Sequence, residues 1–136
     1  MARRERRPVV FKWAEERVAM AERSLVEIVT TVETEGEAED LARGILSEQL
    51  GACVGIERVR SLFRWRGCIE DEGEYRVSIK TVPGLASRVE AFVLKEHPYE
   101  TPMVLRMAVE SSTKAYSRWV EDSVAPVPPD NPKENA

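Results

Sequence analysis

The chain has 136 residues, a length that fits one domain. Hydrophobic residues make up 43% of it, and 24 acidic against 20 basic residues give a net charge of −4. This acidic balance argues against a nucleic-acid partner, because phosphate binding needs clustered cations. No apolar run approaches the roughly 20 residues that a membrane span needs, and no segment resembles a secretory leader. We therefore expect a cytoplasmic protein with neither a membrane nor a nucleic acid as its partner.

Charge and proline content divide the chain into three parts. Residues 1–23 hold seven Lys or Arg and four Glu, which predicts a basic N-terminal extension. Because Met20 begins the segment MAERSLVEIV, a natural start at Met20 is the alternative. Four prolines within residues 125–136 predict a proline-rich tail without regular structure. The folded domain is therefore placed at residues 24–124.

The first predicted elements are a strand and a helix. The segment Ser24–Val32 is rich in β-branched residues and apolar on both faces, which indicates a central strand. Thr34 and Glu37 form the T-x-x-E pattern of a capping box, and apolar residues at helical spacing follow it. Gly51 is expected to end this helix.

A long antiparallel hairpin is predicted next. In Ala52–Arg66 the apolar residues change parity at Glu57–Arg58, and a β-bulge there would put both apolar sets on useful faces. Gly67 allows a turn, and the acidic stretch 69–74 is predicted to be an irregular, solvated loop. The sequence EYRVSIK then alternates between inward apolar side chains and outward polar ones, of which Glu74 is the first.

A second helix, a last strand and a terminal helix complete the order. Pro83 is expected to open the helix, where its missing N–H costs nothing, and Pro98 ends it at or before His97. The sequence MVLRMAVE alternates as a strand, and SSTKAYSRWVEDSV is a short helix. The order βαββαβ plus a helix predicts an α+β, ferredoxin-like split β-α-β fold with an antiparallel sheet. Its helices cover one face, so apolar side chains on the other face predict an oligomer.

Several local strings occur together in one order: VTTVET, EAEDLARGILSEQLGACV, the spaced pattern RWxGxIxxxxE, IKT, HPYETP and AYSRWV. They cover roughly residues 24–122, and in this order the chain resembles the CutA family of divalent-cation-tolerance proteins. The resemblance implies a ferredoxin-like homotrimer, similar in architecture to PII signalling proteins, whose long hairpins pack between subunits. It also implies a role in the response to divalent metal ions. Copper binding has been attributed to some members, and no enzymatic activity is established.

The resemblance also implies where a metal would bind. The family's copper pattern has a cysteine near the end of the first strand and two adjacent histidines before Pro-Tyr. Here Thr30 and Thr31 stand at the strand end, and Glu96 precedes His97, the only histidine. We expect His97 and Glu96 to bind Cu(II) or another divalent cation weakly, since affinity needs several nitrogen or sulfur donors. No cofactor is required. The alternative for His97 is structural, with its imidazole bonded to last-turn carbonyls of the helix.

A second set of candidates suits a cleft between subunits. Trp65, Lys80, Tyr99 and Glu100 are predicted to line it, where a PII-like scaffold would bind a small molecule, a small anion or a partner protein. The alternatives for these residues are packing and salt bridges between subunits. The chain offers neither a Ser-His-Asp set nor a phosphate loop, so we expect it not to be an enzyme.

Three residues are assigned structural roles. Cys53 starts a strand and is expected to be buried and inert, Pro98 stiffens the corner after the second helix, and Trp119 packs the terminal helix. Cys68 stands beside the hairpin turn, where it should be exposed and more easily oxidised. Two cysteines without a CxxC pair predict free thiols.

Overall fold

The computed structural model of the protein describes residues 18–129. Within them the elements follow in this order: β1 (Met20–Val32), α1 (Glu35–Ser47), β2 (Cys53–Trp65), β3 (Cys68–Thr81), a 3-10 turn (Pro83–Leu85), α2 (Ala86–Glu96), β4 (Val104–Thr113) and α3 (Lys114–Ser123). The predicted α+β order βαββαβ with a terminal helix is confirmed.

One antiparallel sheet in the order β2-β3-β1-β4 organises the chain. Helices α1 and α2 cover one face, here called the helix face, where Ile28, Val77 and Ile79 are fully buried. The opposite face, called the open face, is covered only at one end. There α3 packs through Val120 against a smaller cluster that includes Leu25.

Strand β1 starts four residues earlier than the sequence indicated. Residues 20–22 already pair with β4, and the ladder then shifts register between Glu22 and Leu25, where Arg23 has a φ of 52°. Residues 1–17 of the predicted extension lie outside the described residues, as do residues 130–136 of the predicted tail.

The end of α1 differs from the prediction at its last turn. The predicted cap holds, because the Thr34 hydroxyl accepts a hydrogen bond from the N–H of Glu37 at 3.1 Å. The helix ends before Gly51, however. Gln49 adopts a φ of 55°, and the N–H of Leu50 donates to the carbonyl of Ile45 at 3.0 Å, which is a Schellman motif. Gly51 instead packs against the side chains of Ile45 and Ile79.

The hairpin is more regular than predicted. β2 and β3 pair without a register shift from Cys53 opposite Lys80 to Trp65 opposite Cys68, so the expected bulge at Glu57–Arg58 is wrong. The acidic stretch 69–74 belongs to β3, so the expected loop is wrong too.

A two-residue turn closes this hairpin. Arg66 and Gly67 both have positive φ, 48° and 80°, as a type I′ turn requires. The apolar residues of β2 therefore change from even to odd positions without a bulge, because they occupy different faces of the sheet in the two halves of the strand. Val54 lies on the helix face, whereas Val59, Phe63 and Trp65 lie on the open face.

Replacing Gly51 with alanine should destabilise the fold. A Cβ at this position would stand 2.7 Å from Ile79 Cγ2 and 2.8 Å from Ile45 Cγ2, and overpacking of this kind costs about 1–3 kcal/mol. Gly55→Ala is the matched control, since nothing lies within 4 Å of its added Cβ. Urea unfolding at one protein concentration should show a lower midpoint for Gly51→Ala alone. Equal midpoints for the two variants would refute the close packing.

Candidate functional site

The corner after α2 positions the only histidine. Pro98 disfavours helical backbone at the preceding residue, and His97 is extended, with φ −71° and ψ 131°. Its imidazole consequently leaves α2 and reaches the end of β1. Nε2 lies 2.9 Å from the Thr30 hydroxyl and 2.9 Å from the Thr31 carbonyl. The alternative expectation, a bond to the last-turn carbonyls of α2, is wrong, because the bonded carbonyl belongs to a strand.

The hydrogen bonds assign the imidazole tautomer. The backbone N–H of Tyr99 can only donate, and it lies 3.1 Å from Nδ1, so Nδ1 is the unprotonated acceptor. Nε2 then carries the proton and donates to the Thr31 carbonyl. Burial lowers the pKa of His97, an effect opposed by the Thr31 bond and by the charges of Glu37 and Glu74.

This arrangement fits a metal ion poorly. A metal needs a free imidazole lone pair, and Nδ1 already accepts from Tyr99 while Nε2 is protonated. Glu96 is exposed next to His97. In the described part of the chain, no group of three or more His, Cys, Asp or Glu is arranged to hold a metal ion. Metal binding by His97 and Glu96 stays a prediction, and copper would have to displace one of the hydrogen bonds at His97.

Two residues further on, Tyr99 contacts a buried carboxylate that sequence reasoning missed. The hydroxyl of Tyr99 donates to Glu74 Oε1 at 3.1 Å, and Glu74 is only 7% exposed, although it was expected to point into solvent. Burial first, then Glu74, raises the pKa of Tyr99 well above its usual value. One signal was available in the sequence, because Glu74 is the final residue of the RWxGxIxxxxE pattern.

Tyr99 and Glu74 stand at the edge of a cleft of about 790 Å³, here called the hairpin cleft. Its walls come from β2 and β3 beyond the part of the sheet that α1 and α2 cover, and from the segment that follows α2. Three of the four predicted cleft residues meet there. The lining consists of Thr31, Arg60, Ser61, Leu62, Phe63, Trp65, Glu70, Glu72, Glu74, Tyr99, Glu100, Thr101 and Met103.

The fourth predicted cleft residue, Lys80, lies at the other end of β3. Its Nζ is 3.6 Å from Glu27 Oε1, and it stands opposite Cys53 in the pairing of β2 with β3. The prediction of Lys80 as a cleft residue is therefore not supported within one protomer. An ion pair inside the chain accounts for its position.

The residues assigned structural roles are more exposed than expected. Cys53 is only partly buried, and Cys68 is exposed as predicted, both with free thiols. Trp119 is 36% exposed, and its ring stacks on Tyr116 with 5.7 Å between centroids. Burial and Cys53 raise the pKa of Tyr116. Pro98 is exposed at its corner.

His97 should titrate below 6.5, the usual imidazole pKa. A lowered pKa means that the unfolded chain binds more protons near and below pH 6.5, so the free energy of unfolding should fall as pH decreases through that range. His97→Gln should remove this part of the pH dependence. As the chain has one histidine, a single set of imidazole NMR signals reports the midpoint. A midpoint at or above 6.5 would contradict the claim that burial is the dominant influence on the pKa of His97.

Comparison with protein families gives a match over most of the described residues. A family model described as CutA1 divalent ion tolerance protein matches residues 26–123. A Xenopus laevis CutA homolog is 33% identical over 102 residues, which cover 74% of this chain and 68% of that protein. Mouse CutA is 35% identical over 91 residues, which cover 66% of this chain and 51% of that protein. This chain thus spans about half the length of its mouse and human relatives.

Solved structures agree with the fold. CutA from Synechococcus elongatus has 33% sequence identity and a TM-score of 0.76, covering 79% of this chain and 96% of that chain. CutA from Archaeoglobus fulgidus, described as periplasmic, has 31% identity and a TM-score of 0.72, covering 74% and 99%. Residues 18–129 contain no helix that is long and apolar enough to span a membrane, and the cytoplasmic location stays a prediction.

The family match extends from β1 to α3, and the solved relatives cover about three quarters of the chain at a consistent fold. This chain belongs to the CutA1 divalent ion tolerance protein family.

Proposed function

We propose that this chain forms a homotrimer that acts in tolerance to divalent metal ions, with the hairpin cleft as its binding site. The family supports the metal-related role, since relatives from Archaeoglobus fulgidus and Yersinia pestis are named divalent-cation tolerance proteins. The main observation in favour of a homotrimer is the apolar open face of the sheet. The position of the cleft at the margin of that face supports its use as the site.

The open face carries apolar side chains that residues 18–129 leave exposed. Leu105 and Met107 on β4 are 46% and 43% exposed, and Met103 precedes them on the same face. Trp65, at the far end of β2, is 41% exposed. Scattered apolar residues are ordinary at a surface, but a contiguous stripe indicates an interface. A second and third copy of the chain are the natural cover, in agreement with the trimer that the resemblance implies.

The hairpin cleft would then lie where subunits meet. Trp65 and Met103 belong both to its lining and to the open face, so copies packed on that face would stand beside the cleft. This supports the PII-like function, in which an intersubunit cleft binds a small molecule. The Synechococcus elongatus CutA, at 33% identity and a TM-score of 0.72, is described in complex with a Bis-Tris molecule. Binding of a small organic molecule is therefore known for one relative.

A copper site at His97 is the second candidate, and the observed geometry weighs against it. The hydrogen bonds to Thr31 and Tyr99 fix the corner between α2 and β4. We propose that His97 acts as this structural link, and that the metal-related role does not require copper on its imidazole.

A charge on the open face should dissociate the oligomer. Leu105→Asp places a carboxylate in the proposed interface, where burial without a partner is costly. Leu94→Asp is the matched control, because Leu94 is 56% exposed on α2, away from the open face. Light scattering at micromolar concentration should give three chain masses for the unaltered protein and for Leu94→Asp, but a lower mass for Leu105→Asp. A monomeric unaltered protein would overturn the proposed assembly.

Copper titration tests the role of His97 separately. The exposed thiol of Cys68 would bind copper by itself, so Cys68→Ser serves as the background. Calorimetric heats of Cu(II) binding should be the same in this background with and without His97→Ala. A loss of binding heat with His97→Ala would identify the imidazole as a ligand and refute the structural assignment.

A further inference from the structure

Three carboxylates form a row inside the hairpin cleft. Glu70, Glu72 and Glu74 alternate along β3, so their side chains leave the same face of the strand, with successive positions about 6.7 Å apart. All three line the cleft. Glu70 at the outer end is half-buried, Glu72 in the middle is exposed, and Glu74 at the inner end is buried.

No Lys or Arg of residues 18–129 forms an ion pair with the row. Other charged residues of the hairpin form ion pairs, such as Arg60 with Asp71 and Arg76 with Glu57, but none of the three carboxylates of the row does. The only hydrogen bond to the side chains of the row comes from the Tyr99 hydroxyl to Glu74. Glu74 is 7% exposed, and its carboxylate accepts one hydrogen bond from a neutral hydroxyl. Because a buried carboxylate is stabilised by an opposite charge, a cation bound in the cleft would be favourable at this position.

The strand beside the row supplies an apolar wall. On β2, Phe63 stands opposite Glu70, and Val59 stands opposite Glu74. The ring of Trp65 extends this wall toward the turn, and Tyr99 closes the inner end of the cleft. A site with carboxylates on one side and aromatic rings on the other favours a cation that carries hydrocarbon, because methylenes pack on rings and ammonium groups are attracted to ring faces.

We propose that the hairpin cleft binds a linear aliphatic polyamine. Its ammonium groups pair with Glu70, Glu72 and Glu74 through charge-assisted hydrogen bonds, and its methylene segments lie along Phe63 and Trp65. This inference rests on the proposed binding role of the cleft and names the class of its ligand. Ammonium groups joined by short methylene spacers match carboxylates that recur at every second residue of a strand.

Other ligand classes fit the row less well. A single Ca²⁺ or Mg²⁺ needs several oxygens that converge on it at about 2.0–2.6 Å, and within residues 18–129 no group of three or more His, Cys, Asp or Glu is arranged to hold a metal ion. Small anions, expected when Lys80 was placed here, would meet carboxylates instead. The guanidinium group of Arg60 is held by Asp71 at 2.8 Å and offers an anion little in exchange.

Calorimetric titration of the full chain with spermidine at low ionic strength tests the proposal. Saturable binding is expected, and added salt should weaken it. Glu72→Gln and Glu70→Gln should each lower the affinity about tenfold, because each removes a charge-assisted bond. Glu110→Gln is the matched control, since it removes the same charge from an exposed position on β4 that does not line the cleft. Its affinity should equal that of the unaltered chain.

Two results would overturn the proposal. Equal losses in Glu72→Gln and Glu110→Gln would mean diffuse attraction to an acidic surface. Absence of saturable spermidine binding would also reject it, and Bis-Tris titrated in parallel then separates the two claims. If Bis-Tris binds and Trp65→Ala abolishes that binding, the cleft remains a binding site with another ligand class. If neither compound binds, the proposed role of the cleft fails as well.

Discussion

The uninterrupted pairing of β2 with β3 determines where every candidate residue stands. Because side chains alternate along a strand, a slip of one residue would exchange the two faces of the hairpin. The type I′ turn at Arg66 and Gly67 and the continuous ladder from Trp65 to Cys53 leave no such slip. As a result, Val59, Phe63 and Trp65 of β2 lie together on the open face. Glu70, Glu72 and Glu74 of β3 lie beside them on the same face, and these two sets of side chains form much of the hairpin cleft.

The corner at His97 joins this hairpin to the core. Pro98 ends α2, the imidazole is held by the end of β1, and the N–H of Tyr99 is held in turn by the imidazole. Tyr99 then reaches across to Glu74 on β3. One short segment thus links α2, β1 and β3, and it sets the inner wall of the cleft. The histidine is explained by this link without a metal.

Local features could be predicted from the sequence, and features that depend on distant pairing could not. The cap at Thr34, the turn at Gly67 and the helix end before Pro98 are set by neighbouring residues, and all three are correct. The parity change at Glu57–Arg58 predicts a bulge that the structure does not have, because the sequence of a strand alone does not reveal which of its faces is covered. The burial of Glu74 and the bond from His97 to Thr31 join residues far apart in the chain, so only the folded register brings them together.

The central claim is that the carboxylate row of β3 meets a ligand cation at the margin of the assembled open face. A crystal structure of the full chain grown with spermidine tests it most directly, because it reveals the assembly and the occupant together. Three copies should pack on their open faces. Elongated density for spermidine should run along Glu70, Glu72 and Glu74, with the methylene groups of the ligand against Phe63. A basic side chain of a neighbouring copy seated on that row, with spermidine absent from the cleft, would contradict it.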